Sequence, residues 1–254
     1  MKKKIGLILS GGGTKGIAEA GVLKFLEEKN ISPDIIAGSS AGAIVGGLYA
    51  FGKSPEEILD FFKSVYFFNW KHFTFSKPGF INSDVFRLYL EPIIGDVKIK
   101  DLKTELLITA TDLVCGETFV FNGDDCLLDA IIASCAVPGL TSPYQKGDML
   151  LSDGGILNNF PSNLLIDKCE KLIGVYVSPL QNVHNHQLNS IKAVATRAFE
   201  LLSHNIENYK FKHCDWFISP EELSNYGMFE SKKERMEEIF QLGYREAEKT
   251  FKNF

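Results

Sequence analysis

Cysteine is scarce and unpatterned in this chain. Cys115, Cys126, Cys135, Cys169 and Cys214 are spread over 254 residues without a Cys-x-x-Cys pair, which argues against a zinc ribbon or dithiol redox site and for reduced, mostly buried thiols. Basic charge is not in excess either: 27 Lys and Arg stand against 32 Asp and Glu, for a net charge of -5. No broad positive field therefore exists to hold nucleic acid. No apolar run approaches the roughly 18–20 residues that span a bilayer, so membrane contact is expected to be peripheral. The run behind Lys2-Lys3-Lys4 stops at Leu9, too short for the core of an export signal. The expected compartment is the cytoplasm, with export by a route lacking such a signal left open. Repeats and low-complexity tracts are also missing. With 45% hydrophobic and 23% charged residues, the chain has the composition of an ordinary globular protein, and a single domain over 1–254 is expected.

What is present alternates. Ile5 to Leu9 is a short apolar run ending in Ser10-Gly11-Gly12-Gly13, after which Ala18, Val22, Leu23, Phe25 and Leu26 recur at helical spacing. Asn30 and Pro33 close that helix, Asp34 to Ala37 forms a second strand, and Gly38-Ser39-Ser40-Ala41-Gly42 opens a small-residue helix reaching Tyr49. Ser54-Pro55-Glu56-Glu57 places an N-cap, an N1 proline and two first-turn acids in order, starting a third helix. Strands are expected at 105–111, 118–121, 149–151, 171–177 and 215–219, and helices at 127–135, 190–211 and 231–252. Such alternation implies an α/β fold whose mostly parallel sheet is covered on both faces.

Three glycine patterns compete for the chemistry. Gly47 to Ser54 spells a phosphate loop, but the preceding residues read as helix, the loop interior is bulky, and Gly52 sits where a helix C-terminal glycine belongs. Gly11-x-Gly13-x-x-Gly16 spells a dinucleotide fingerprint between a strand and a helix, yet Asp34 begins the next strand and no acidic residue ends it to bind a ribose. Gly38-x-Ser40-x-Gly42 spells a nucleophile elbow, in which a serine on a sharp strand-to-helix turn projects its hydroxyl between small neighbours. The amides of Gly11, Gly12 and Gly13 leave the same sheet edge and could hold an oxyanion, joined by the amide of Ala41. Lys15 would add positive charge there, or stand as a solvated helix-start lysine.

Ser40 needs a base. Asp153 ends an apolar run and precedes Gly154 and Gly155; burial beside Ser40 would raise its pKa from the usual value of about 3.9 and make it a competent proton acceptor. The plainer reading of Asp153 is a turn-forming Asp-Gly. His72, His184, His186, His204 and His213 occupy no recognisable catalytic context, although the last four could by chain order complete a Ser-His-Asp triad. A non-catalytic lipid- or nucleotide-binding module is the alternative from another class.

Gly-Gly-Gly-Thr-Lys-Gly at 11–16, Gly-Ser-Ser-Ala-Gly at 38–42 and Asp-Gly-Gly at 153–155 resemble, in order and spacing, the three signatures of the patatin-like phospholipases. Ala133 to Leu140, Pro143, Asn158 and Pro161 resemble the family's segment around the aspartate, so the likeness runs over about residues 4–180. It implies a three-layer α/β/α fold and an acyl hydrolase with a Ser-Asp dyad and no histidine. Ser40 would be nucleophile, Asp153 proton acceptor and the glycine turn the oxyanion hole, acting on phospholipid or another fatty acyl ester without metal or organic cofactor. Many relatives carry arginine where this chain has Lys15, so bidentate guanidinium geometry is missing. Residues 181–254 read as an extension of helix and strand.

Residues 61–80 hold nine aromatics, Phe61, Phe62, Tyr66, Phe67, Phe68, Trp70, Phe73, Phe75 and Phe80, interleaved with Lys63, Lys71, His72 and Lys77. Helical spacing is missing among several of them. A lid or lipid-facing surface over the site is one expectation, and an irregular core segment is the other.

Overall fold

In the computed structural model, residues 3–65, 85–180 and 183–252 are described, except 192, 195, 196, 199, 200, 202, 203, 205 and 206. The apolar runs become strands β1 (Lys3–Leu9), β2 (Ile35–Ser39), β3 (Glu105–Asp112), β4 (Glu117–Phe121), β5 (Tyr144–Lys146), β6 (Met149–Asp153), β7 (Cys169–Val175) and β8 (Trp216–Ile218). The helices are α1 (Ile17–Glu28), α2 (Ala41–Phe51), α3 (Pro55–Ser64), α4 (Val85–Ile94), α5 (Leu127–Ser134) and a C-terminal helix, Lys233–Thr250. Ser54 caps α3 as its sequence implies: its hydroxyl accepts from the Glu57 amide while Glu57 accepts from the Ser54 amide. Gly47 lies inside α2 and Gly52 is its left-handed C-cap, with φ 112°. A helix and its cap therefore spell the phosphate-loop pattern.

The eight strands form one sheet in the order β5-β6-β3-β2-β1-β7-β8, with β4 also paired to β3. From β3 through β8 the neighbours are parallel; β4, β5 and β6 add antiparallel pairings. Registers around β3 decide where the site forms. β4 takes Ile108–Asp112 along one edge of β3, so β2, paired to Glu105–Thr109, and β6, paired to Ala110–Asp112, occupy successive stretches of the other. β2 and β6 run toward each other along that edge, and their C-terminal ends meet.

Alternating side chains divide between two cores. Leu7, Leu9, Ile36, Leu106, Ile108, Ile173 and Val175 join the helices in the larger one. Ile8, Ile35, Ala37, Leu107 and Leu172 face the other way, against Phe160, Leu165 and Phe211. Phe211 belongs to the 3-10 turn Asn208–His213, where α-helix was expected through 211; the tighter turn stacks its ring on Phe217, 4.6 Å between centroids. Phe61 and Phe62 are buried on α3, 5% and 2% exposed, which makes these two core residues, whereas Tyr66 to Phe80 lie outside the described residues. No described helix is long and apolar enough to cross a membrane.

Candidate active site

Ser40 sits between β2 and α2 with φ 50° and ψ -117°, a strained conformation for a residue with a side chain, costing about 1–3 kcal/mol. Its surroundings hold it there. The Ser40 amide donates to Ser134 Oγ at 2.8 Å, and its carbonyl accepts from Ala43 N, Ile44 N and, at 3.3 Å, Cys135 Sγ. The glycines of the elbow are demanded by close approach. A Cβ on Gly38 would lie 2.5 Å from the Gly42 carbonyl oxygen, one on Gly42 would lie 2.4 Å from that of Leu9, and one on Gly16 would strike the Ala41 methyl.

Where β2 and β6 meet, Ser40 Oγ donates to Asp153 Oδ2 at 2.7 Å. The other carboxylate oxygen accepts from the Gly155 amide at 2.7 Å, and β6 is tied down by Asp153 N donating to Ala136 O at 2.9 Å. Gly154 has no room for a side chain, since a Cβ would lie 2.4 Å from the Thr109 carbonyl oxygen. Burial raises the Asp153 pKa from 3.8 to about 6, against the opposing hydrogen bonds from Ser40 and Gly155. The geometry thus joins the two residues singled out in the sequence. Among the described residues no histidine reaches either of them: His204 faces Tyr176, His213 faces Ser162, and His184 stacks on His186.

The glycine turn approaches Ser40 from β1. Gly11 departs from the expected role, because its amide donates to Asn159 Oδ1 at 3.0 Å and to Asn159 O at 3.3 Å. That leaves the amides of Gly12, Gly13 and Ala41, for which no partner occurs among the described residues. Gly13 has φ 61° and a Cβ there would lie 2.2 Å from Met228 O. Glycine is required at that position twice over. Lys15 is half-buried and lines the cleft with Ser40 and Asp153.

Two hollows share Ser40. The larger, about 250 Å³, is lined by Gly12, Lys15, Asp153, Asn159, Tyr176 and Arg197, among others. The smaller, about 50 Å³, is an apolar slot between Ile44, Phe62, Phe86, Leu140 and Phe229. Asn159, Arg197, Met228 and Phe229 were not singled out from the sequence. Asn159 adjoins the Asn158 already noted there; the others carry no local pattern.

A patatin-like phospholipase family model matches residues 7–166. The chain belongs to the patatin-like phospholipase family. It is 35% identical over 171 residues to an uncharacterized NTE family protein of Mycobacterium bovis, covering 62% of this chain and 44% of that one. A patatin-like phospholipase domain-containing protein of Caenorhabditis elegans is 31% identical over 172 residues, 63% of this chain and 12% of the relative. The chain thus spans less than half the length of these curated relatives. The crystal structure of VipD from Legionella pneumophila superposes with a TM-score of 0.60 at 15% identity, covering 98% of this chain and 67% of VipD. That likeness establishes a shared fold.

Proposed function

We propose that this patatin-like chain is a serine acyl hydrolase that cleaves fatty acyl esters of lipids through the dyad Ser40 and Asp153. The observation that carries the reading is the 2.7 Å hydrogen bond from the hydroxyl of a serine on a strained backbone to a buried carboxylate. Asp153 takes the Ser40 proton as Oγ attacks the ester carbonyl, and the amides of Gly12, Gly13 and Ala41 receive the developing oxyanion. Protonated Asp153 then gives its proton to the leaving alcohol. Water attacks the acyl-Ser40 ester, Asp153 accepts the water's proton, and that proton returns to Ser40 as the carboxylic acid departs. The raised pKa of Asp153 suits both halves of this cycle, since a carboxyl near pH 6 accepts and releases protons more readily than one near 4.

The two hollows supply a division of the substrate. An apolar slot against Ser40 suits an acyl chain, while the wider cleft bearing Lys15 and Arg197 suits a polar leaving group. Contact with lipid is peripheral in this reading. The test is hydrolysis of p-nitrophenyl esters of increasing acyl length by the wild type, Ser40→Ala and Asp153→Asn, with folding checked by circular dichroism. Both variants are expected to lose on the order of a hundredfold or more in kcat while His204→Ala and His213→Ala lose little. An active Asp153→Asn variant would remove the dyad from consideration.

A further inference from the structure

A buried ion pair outside the stretch matched to the family grips the site from behind. Glu207 is 1% exposed and Lys210 3%, and Lys210 is the one fully buried basic residue among the described residues. Their charges lie 2.8 Å apart. Burying such a pair brings a large desolvation penalty and is weak evidence of a stabilising role by itself. What the pair touches supplies another reason for it. Glu207 Oε1 accepts from the Asn159 amide at 2.9 Å, and Lys210 Nζ donates to Asn158 Oδ1 at 2.6 Å. The two charges therefore fix two consecutive residues of the turn that follows Asp153.

Asn159 passes that grip to both halves of the site. Its side-chain oxygen accepts from Gly11 N, and its Nδ2 donates to Gly11 O at 3.4 Å. Gly11 in turn leads directly into Gly12 and Gly13, and a Cβ built on Gly11 would lie 2.9 Å from Ser40 Cβ. A Cβ built on Gly155 would lie 2.8 Å from Asn159 Oδ1 and 2.9 Å from Asp153 Oδ1. Asn159 is thus wedged between the turn that offers amides to the oxyanion and the turn that orients the base. We infer that Glu207, with Lys210 as its counter-ion, is a positioning residue for catalysis, setting the Gly11–Gly13 turn against Ser40 through Asn159.

This inference rests on the acyl-hydrolase reading, and wild type that leaves every p-nitrophenyl ester intact would fail that reading first. Given an active wild type, two variants separate positioning from mere stabilisation. Glu207→Asp keeps the charge but withdraws the oxygen from Asn159. Glu207→Gln combined with Lys210→Met removes both charges but keeps an oxygen where Asn159 needs it. Positioning requires Glu207→Asp to lose about tenfold or more in kcat with KM within about twofold, a misplacement effect, while the Gln/Met double variant stays within about threefold of wild type. Melting temperatures recorded alongside establish that each variant is folded at the assay temperature. An ion pair that only stabilises predicts the opposite order, and that order, or equal rates in both folded variants, would overturn the inference. Should Glu207→Asp not fold, Glu207→Met with Lys210→Met removes the acceptor without stranding a charge, and wild-type kcat in that double variant would overturn it equally.

Discussion

In the proposed dyad, Asp153 would serve the reaction at the expense of the fold. Its carboxyl is raised from 3.8 to about 6 chiefly by burial, so the folded state holds the proton more tightly than the unfolded chain does. Stability is therefore lost as pH rises from about 4 through about 6, and the full loss, ~3 kcal/mol for roughly two pKa units, is present above that. Under the proposed mechanism, activity depends on the same ionisation with the opposite benefit. The acid limb of the kcat profile is expected to rise through about pH 6, where the carboxylate forms. Asp153→Asn is expected to melt above wild type near pH 8, with the difference shrinking as the pH approaches 4. Melting curves across that range test it, and a wild type that is the more stable near pH 8 would refute burial as the cause. Ser40 and Asp153 were each legible, one as the serine of a glycine-flanked elbow and the other as a strand-end aspartate before two glycines, but the way they meet was not written locally, since residues 40 and 153 come together only through pairings to β3.

At the scale of elements, legibility followed local physics. The start of α3 could be read to the residue because its capping box is written in four consecutive residues. β1 and β2 could be read because apolar runs end in glycine turns. α4, with Pro92 inside it, and the three-residue β5 carry no comparable signal; both take their conformation from the surfaces they meet. The crossing of α1 with the C-terminal helix was illegible for another reason. A glycine inside a helical pattern reads as a weakness, costing about 1 kcal/mol relative to alanine, yet Gly21 and Gly243 are where the two backbones touch. A Cβ on Gly21 would lie 2.0 Å from Phe240 O, and one on Gly243 would lie 1.8 Å from Ala18 O. Gly243→Ala, which propensity alone would make stabilising, is therefore expected to destabilise by on the order of 1–3 kcal/mol, as overpacking does. Thermal melting decides it, and a rise in Tm would show that the helices separate at little cost. Because α1 follows the glycine turn directly, kcat is expected to fall with Tm.

The whole molecule closes around residues that the signatures do not include. Family motifs occupy the middle of the sheet and the turns at its edge, and these were legible; segments from beyond residue 180 complete one wall of the cleft and add to the cover on both sheet faces. Phe25 of α1 packs edge-on against Trp216, Tyr244 and Phe251, at 6.2, 5.6 and 5.5 Å between centroids. On the opposite face, Phe160 meets Phe211 and Phe217 at 5.3 and 6.0 Å, and β8 covers the outer edge of β7. Cutting the chain after Leu180 would remove every one of these partners, leaving Phe25 and Phe160 on open apolar surfaces and β7 as an unpaired edge. The recognisable segment is consequently expected not to fold alone, although it contains Ser40, Asp153 and all three glycines of the turn. A 1–180 fragment should lack a cooperative melt and bind a hydrophobic dye, whereas the full chain should melt in a single transition and bind little. A cooperative melt in the fragment would mean that residues 181–254 are an accessory to a finished core. Its absence would place the C-terminal extension inside the folding unit, where a residue such as Glu207 can act on the site.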